Sequence, residues 1–168
     1  MLSISSFGCV GFSGSRSLSG VSVPVLRSSC GLVGSGSVVG VGCARGVDQF
    51  VRSAFPSAVV FSASSFGVGR SSFARRSVAL VQWVAASGSG CWVSFPSGAC
   101  PAQLSPSAVA SRCFSGSGSG SWASLAFAAG SGVPCFVFLG SVPAPRWLVS
   151  VGCGWFQFRP APPQLSLF

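Results

Sequence analysis

The sequence contains no histidine, lysine, tyrosine, asparagine, threonine or glutamate, and its only acidic residue is Asp48. A serine or cysteine hydrolase needs a base, usually a histidine, beside its nucleophile, so the sequence supports neither class. A mechanism that needs two carboxylates is excluded within a single chain. Any catalysis would have to use Asp48 or groups of the bound ligand.

The absent and rare residue types all have adenine at the first or second position of their codons. This pattern indicates a coding strand depleted in adenine, in which arginine is the only accessible cation. A net charge of +9 ordinarily indicates nucleic acid or an anionic surface as the partner, and here codon bias is an alternative source of part of that charge. Asp48 and Gln49 stand side by side against the bias, which favours a local role for them.

The eight cysteines form no C-x-x-C pair, and no histidine could complete a mixed site, so a zinc module is not predicted. Because the sequence shows no secretory signal, buried reduced thiols are favoured over disulfides. Although 49% of the residues are hydrophobic, no window holds the roughly 20 uninterrupted apolar residues of a spanning helix. No positive charge precedes the first apolar segment, as it would in a secretory signal, so we expect a cytoplasmic protein without membrane contact.

Short apolar runs alternate with helical patterns, which predicts an α/β fold with a parallel sheet. Strands are expected at residues 8–12, from residue 38, and at residues 58–63, 91–95 and 134–139. The run at 58–63 is β-branched without alternation, so we expect it to be buried on both faces. Helices are expected at residues 17–33, 49–55, 71–87 and before Gly130. The helix at 71–87 has an apolar stripe formed by Ala74, Val78, Val81 and Ala85.

The composition changes after residue 140, where prolines and aromatic residues become frequent. We therefore predict a domain at residues 1–140 and a Pro- and aromatic-rich tail at residues 141–168. Residues 146–158 could add an edge strand or a hairpin. We expect the last residues to be loosely ordered.

Three turns, at residues 14–16, 44–48 and 118–121, follow predicted strands and precede predicted helices. The first and third are rich in glycine and serine, and the first and second contain an arginine. In α/β proteins such turns lie where backbone N–H groups and the helix dipole attract anions. The third turn could instead be a flexible linker, although linkers rarely lead straight into a helix and a strand. The candidate phosphate-binding residues in these turns are Gly14, Ser15, Arg16, Ala44, Arg45, Gly46, Asp48, Gly118, Ser119, Gly120 and Ser121.

Three arginines, Arg70, Arg75 and Arg76, cluster at the start of the helix predicted at 71–87. Positive charge at a helix N-terminus is unfavourable for the dipole. One interpretation is a solvated charged face. The other is an anion site, and on that hypothesis Arg75 and Arg76 are further ligand-binding candidates.

Four of these segments resemble motifs of one superfamily. Residues 11–16 (Gly-Phe-Ser-Gly-Ser-Arg) are similar to an opening glycine-serine-arginine turn, and residues 42–48 (Gly-Cys-Ala-Arg-Gly-Val-Asp) to a Gly-x-Ala-Arg-Gly-Ile/Val-Asp motif. Residues 73–76 and 116–125 resemble an arginine-rich helix start and a Gly/Ser loop before a late helix. The chain thereby resembles, over residues 8–140, the DNA-processing protein DprA (Smf) and the LOG-type nucleotide-binding proteins, often grouped as SLOG.

This resemblance implies a Rossmann-like doubly wound, mostly parallel sheet of about five to six strands that binds nucleotides or single-stranded DNA along its carboxyl edge. We expect no cofactor and no metal. The histidine that DprA proteins usually carry shortly after the Asp is absent, and Phe50, Val51 and Arg52 stand in that region. Ser124 aligns with the catalytic glutamate of LOG phosphoribohydrolases. A serine cannot replace a carboxylate there, so that hydrolysis is not expected.

Three hypotheses for function remain open. In the first, a non-catalytic DprA-type module holds single-stranded nucleic acid through Arg16, Arg45, Arg75 and Arg76. In the second, a sensor or enzyme binds a nucleotide-derived small molecule, with Asp48 accepting hydrogen bonds from ribose hydroxyls or pairing with Arg45. Asp48 could instead be a first-turn helix residue that favours the dipole. In the third, the aromatic tail mediates assembly, for example into a homo-oligomer.

Overall fold

Seven strands form one mostly parallel sheet in the computed structural model, which describes residues 4–116 and 118–160. The first five strands run parallel, β7 pairs antiparallel with β5, and β6 pairs antiparallel with β7. Their order across the sheet is β3-β2-β1-β4-β5-β7-β6. In chain order they are β1 (Cys9–Gly14), β2 (Val38–Gly42), β3 (Val59–Phe61), β4 (Gly90–Phe95), β5 (Cys135–Phe138), β6 (Val149–Gly152) and β7 (Trp155–Phe158). The predicted Rossmann-like α/β fold is confirmed, with a larger sheet than expected because a C-terminal hairpin adds two strands.

Five α-helices lie between these strands in the described part of the chain. They are α1 (Val23–Gly31), α2 (Val47–Ala54), α3 (Arg70–Ala86), α4 (Ala110–Cys113) and α5 (Gly120–Gly130). Short 3₁₀ turns occur at Ile4–Ser6, Leu18–Gly20 and Ala63–Phe66. The helix predicted at 17–33 begins only at Val23, because Pro24 lacks an N–H and fits the first turn of a helix.

Helices cover both faces of the sheet, as a doubly wound fold requires. Strand side chains alternate between two apolar clusters. Val10 and Phe12 of β1 and Val93 of β4 pack with α1 and α2, whereas Trp92 of β4 packs with α3 and α5. Because β1 has β2 on one side and β4 on the other, the strand order reverses between β1 and β4. This point is the topological switch point, where doubly wound folds form their ligand crevice.

The prediction of a buried strand at 58–63 is wrong. β3 is an edge strand, and its Val59 and Val60 are exposed by 38% and 47%. A β-branched run without alternation has the same sequence pattern in the centre of a parallel sheet and at its edge. On α3 the buried apolar residues are Leu80, Val81 and Val84, so Val81 alone of the predicted stripe is fully buried.

Within the predicted tail, residues 149–152 and 155–158 form two further strands of the sheet. β6 and β7 form an antiparallel hairpin, and Trp155 at the start of β7 is only 8% exposed. Its ring contacts those of Phe95 on β4 and Phe138 on β5. The predicted loose order of the last residues concerns residues 161–168, which lie outside the described residues.

All eight cysteines are free thiols, and those on the helices and central strands are buried. Among the described residues, no three or more cysteine or aspartate side chains come together as they would around a metal ion. Within the same residues, no helix combines the length and the apolar character needed to cross a membrane.

Candidate functional site

A cavity of about 620 Å³ opens at the carboxyl ends of β1 and β4, at the switch point of the sheet. We call it the switch-point cavity. Its walls come from the turn after β1, the β2–α2 loop, the first half of α3 and the start of α5. Trp92 lies at its base, where the indole Nε1 donates a hydrogen bond to the Ser13 hydroxyl at 3.0 Å. The Ser13 hydroxyl is also 3.0 Å from that of Ser94, which joins β1 to β4 beneath the cavity.

A buried ion pair joins two walls of the cavity. The Nη1 of Arg76 on α3 donates to Oδ2 of Asp48 on α2 at 3.0 Å, and the two side chains are 9% and 7% exposed. The same Oδ2 accepts the backbone N–H of Ala44 at 3.2 Å. The pair packs directly on Gly42, where a Cβ would overlap both Nη1 and Oδ2. Glycine at the end of β2 is therefore what makes room for the guanidinium.

One donor of the Arg76 guanidinium is not used by the part of the chain that the structure describes. Its Nε is buried and has no hydrogen-bond partner among residues 4–116 and 118–160. Arg76 lines the switch-point cavity. A buried donor without a partner is costly, so native proteins usually satisfy such groups with protein, water or ligand atoms.

Two further arginines and an aromatic ring line the cavity. Arg16, in the turn after β1, has its guanidinium carbon 5.0 Å from the centre of the Phe73 ring. Phe73 is 39% exposed, and Arg70 lies one helical turn before it on α3. Together with the Asp48–Arg76 pair, these side chains give the cavity lining a formal charge of +2.

The start of α5 forms the opposite wall. Ser119 is the N-cap residue, and its Oγ accepts the Trp122 N–H at 3.4 Å. The first turn of a helix leaves its leading amides, here those of Gly120 and Ser121, without partners inside the helix. The Ser124 hydroxyl donates to the carbonyl of Gly120 at 2.7 Å, which ties it to the helix backbone.

Most of the residues predicted from the sequence line this one cavity. Arginine 45, Gly46 and Arg75 do not. Arg45 is exposed, and Arg75 is exposed and bonded to the Ser71 hydroxyl on its own helix. The residues that line it are Gly14, Ser15, Arg16, Ala44, Asp48, Arg76, Gly118, Ser119, Gly120 and Ser121.

Gly46 has a structural role beside the cavity. Its φ of +70° lies in the region that favours glycine, and a Cβ would collide with the backbone of residues 15 and 16. Val47 N–H donates to the carbonyl of Ser15 at 3.0 Å. The start of α2 is thereby held against the turn after β1.

The predicted pairing of Asp48 with Arg45 is wrong, because Asp48 pairs with Arg76 across the cavity wall. The solvated-face interpretation of the arginine cluster is likewise wrong for Arg76, which is buried. Sequence reasoning left Phe114 and Ser97 out of the site altogether. Both lie in the long segment between β4 and α5, where no local pattern indicated a contribution.

Cys113 also lines the cavity but is only 1% exposed. Burial raises the pKa of its thiol above the ordinary value. The thiol also donates a hydrogen bond to the Ser107 carbonyl at 3.5 Å. The cavity therefore presents a neutral thiol at neutral pH, without the thiolate that nucleophilic chemistry requires.

No family model, curated protein or solved structure matches this chain. The function must therefore be argued from the chemistry of the switch-point cavity.

Proposed function

We propose that this chain is a non-catalytic module that binds the phosphate of a nucleotide-type ligand in the switch-point cavity. The observation that carries the proposal is Arg76, a buried arginine that lines the cavity and whose Nε has no hydrogen-bond partner among the described residues. Asp48 accepts from its Nη1, and Arg16 and Arg70 line the same space. A phosphate group would supply acceptor oxygens to these donors and to the first amides of α5.

The shape of the site favours a mononucleotide-sized ligand. A volume of about 620 Å³ lies within the range of roughly 300–1,000 Å³ typical of small-molecule sites. The lining combines these polar donors with the apolar surfaces of Phe73, Phe114 and Trp92. A phosphate at the polar end and a planar base against the aromatic side chains would use both parts of the cavity.

Binding without catalysis fits the residues that are present. Oδ2 of Asp48 already accepts two hydrogen bonds, one of them from a guanidinium. Ser124 is bonded to the α5 backbone, and the nearby Cys113 thiol is neutral. The resemblance to DprA and LOG-type proteins also supports nucleotide binding. It does not support LOG-type hydrolysis, because Ser124 aligns with the catalytic glutamate of those enzymes.

Single-stranded nucleic acid is the second candidate ligand, and one observation favours it. Phe73 and Arg16 stack at the cavity, and Arg75 lies exposed nearby on the same helix as Phe73. Exposed aromatic and cationic side chains along one surface are typical of single-strand binding sites. In that case the cavity would hold one nucleotide of a longer strand.

Calorimetric titration with AMP, with adenosine as the ligand that lacks phosphate, tests the proposal directly. We expect AMP to bind and adenosine to bind at least about tenfold more weakly, since charge-assisted hydrogen bonds to phosphate are lost. Arg16→Met should weaken AMP binding. Arg75→Met is the matched control, because it removes the same charge from an exposed arginine outside the cavity.

A labelled twelve-nucleotide oligo(dT), titrated by fluorescence anisotropy over a salt series, separates the two ligands. A strand held at about four phosphates would give a log–log salt slope of roughly −3 and would lose affinity in both arginine variants. Equal affinity for AMP and adenosine, together with no oligo(dT) binding at low salt, would contradict the proposal.

A further inference from the structure

Arg52 on α2 does not line the switch-point cavity, but it contacts residues that lie next to the Asp48–Arg76 ion pair. It lies four residues after Asp48, the spacing at which opposite charges on a helix often pair. Instead, Asp48 pairs with Arg76, and the Nη1 of Arg52 donates to two carbonyls, that of Gly42 at 2.6 Å and that of Ala44 at 3.1 Å. Arg52 is half-buried and does not line the switch-point cavity.

These two carbonyls belong to the segment that carries the buried ion pair. Gly42 is the last residue of β2, and the Arg76 guanidinium packs against its Cα. Both arginines therefore contact Gly42. Arg52 donates to its carbonyl oxygen, and Arg76 packs against its Cα. A shift of Gly42 would move the surface on which Arg76 rests.

Ala44 provides a second connection. Its carbonyl accepts from Arg52, while its N–H donates to Oδ2 of Asp48, the oxygen that also holds Arg76. Loss of the Arg52 donors would free the carbonyl side of the β2–α2 loop. The hydrogen bond from the Ala44 N–H to Oδ2 of Asp48 would then be weaker, and Asp48 would hold the Arg76 guanidinium less firmly.

We infer that Arg52 is a positioning residue for ligand binding in the switch-point cavity, acting through Gly42, Ala44 and Asp48 on Arg76. The inference rests on the proposed function, because its readout is binding in that cavity. It assigns to Arg52 a role in the orientation of the site without any contact to the ligand. A purely structural role would lower stability and leave the affinity of the folded protein unchanged.

The test compares AMP affinity, by calorimetry, in the wild type and in Arg52→Met, Arg52→Lys and Arg27→Met. Methionine keeps an apolar stem and removes the donors, whereas a lysine ammonium can donate to both carbonyls. Arg27 is an exposed arginine on α1 and serves as the control for loss of charge. Circular dichroism first confirms that every variant is fully folded at the titration temperature.

We expect Arg52→Met to weaken AMP binding about tenfold, Arg52→Lys to remain within about threefold of the wild type, and Arg27→Met to match the wild type. Amide hydrogen exchange at Ala44 should become faster in Arg52→Met and stay unchanged in Arg27→Met. An unaltered AMP affinity in Arg52→Met, with the wild type binding normally, would overturn this inference alone. Failure of the wild type to bind either AMP or oligo(dT) would instead overturn the proposed function.

Discussion

Asp48 is the only side-chain carboxylate of the chain, and the fold uses it to neutralise a buried arginine. Arg76 is 8% exposed, so its charge would be expensive without a partner. In such a pair the two charges together contribute little net stability, yet removal of one partner leaves the other uncompensated. Asp48 therefore maintains a guanidinium at the cavity wall that the protein could not otherwise keep there.

Asp48→Ala is expected to lower the free energy of unfolding by about 3–5 kcal/mol, because Arg76 would be left as an unpaired buried charge. Urea unfolding measures this loss. Gln49→Ala, at the exposed neighbouring position, is the control and should change stability by less than about 0.5 kcal/mol. A loss below about 1 kcal/mol in Asp48→Ala would indicate that Asp48 acts only on the helix dipole.

The sequence predicted Asp48 and Arg76 as site residues, but it did not predict that they form an ion pair with each other. Asp48 and Arg76 were both candidates, yet 28 residues separate them, and no local pattern relates an α2 residue to an α3 residue. The parallel order β2-β1-β4 brings α3 across β1 and β2, which only the assembled sheet determines. Pairing with Arg45 was one of the alternatives for Asp48, but the loop exposes Arg45.

Strands and helices were predictable where the local signal was strong. The strand from residue 38, the Gly/Ser turn before α5 and the glycine at its end all have turn or capping chemistry that local sequence specifies. The exposure of β3 at the sheet edge was not predictable from its sequence, because burial of a strand depends on which other elements pack against it. For residues 146–158 the sequence predicts an edge strand or a hairpin, and the structure shows the hairpin.

The buried thiols of α1 and β4 make stability depend on alkaline pH. Burial raises the pKa of Cys30 to about 11 and that of Cys91 to about 12, and the neighbouring Cys9 adds to the rise at Cys91. An unfolded chain releases these protons near pH 8.5 to 9, whereas the folded protein retains them. The stabilisation is therefore complete below about pH 8.5 and is lost as the pH rises towards 11 to 12.

We expect the urea midpoint, measured under reducing conditions, to fall steadily from pH 8 to pH 11. The chain has no lysine, tyrosine or histidine, so thiols dominate its side-chain titration in this range. Cys91→Ala should make the decline shallower, while the matched variant at exposed Cys153 should follow the wild type. Parallel pH profiles for Cys91→Ala and the wild type would show that Cys91 releases its proton over the same pH range in the folded and the unfolded chain.

The exposed charged side chains are arginines across the whole described surface, since Asp48 is buried in its ion pair. A second copy of the chain would meet these charges with the same sign. This distribution favours anionic ligands over self-association. The homo-oligomer stays a prediction, and codon bias is an alternative source of the charge itself.

The hairpin of β6 and β7 argues against a domain boundary at residue 140, because its two strands belong to the same sheet as β1 to β5. β7 supplies the antiparallel neighbour of β5, and Trp155 packs between the rings of Phe95 and Phe138. On the other face, Leu148 is buried in the cluster of α3 and α5. A chain ending at residue 140 would therefore expose β5 as an edge and lose a buried tryptophan and leucine.

We expect residues 1–140 expressed alone to lose most of the stability of the protein, because removal of one large buried side chain already costs about 3–5 kcal/mol of a total near 5–15 kcal/mol. Near-ultraviolet circular dichroism and urea unfolding measure the loss, and the 1–160 chain, which keeps both hairpin strands, is the comparison. Weak tertiary signals and a broad transition in the shorter chain would place the hairpin within the folding unit. An unchanged urea midpoint would instead support the division at residue 140, with the hairpin as an appendage that the core does not need.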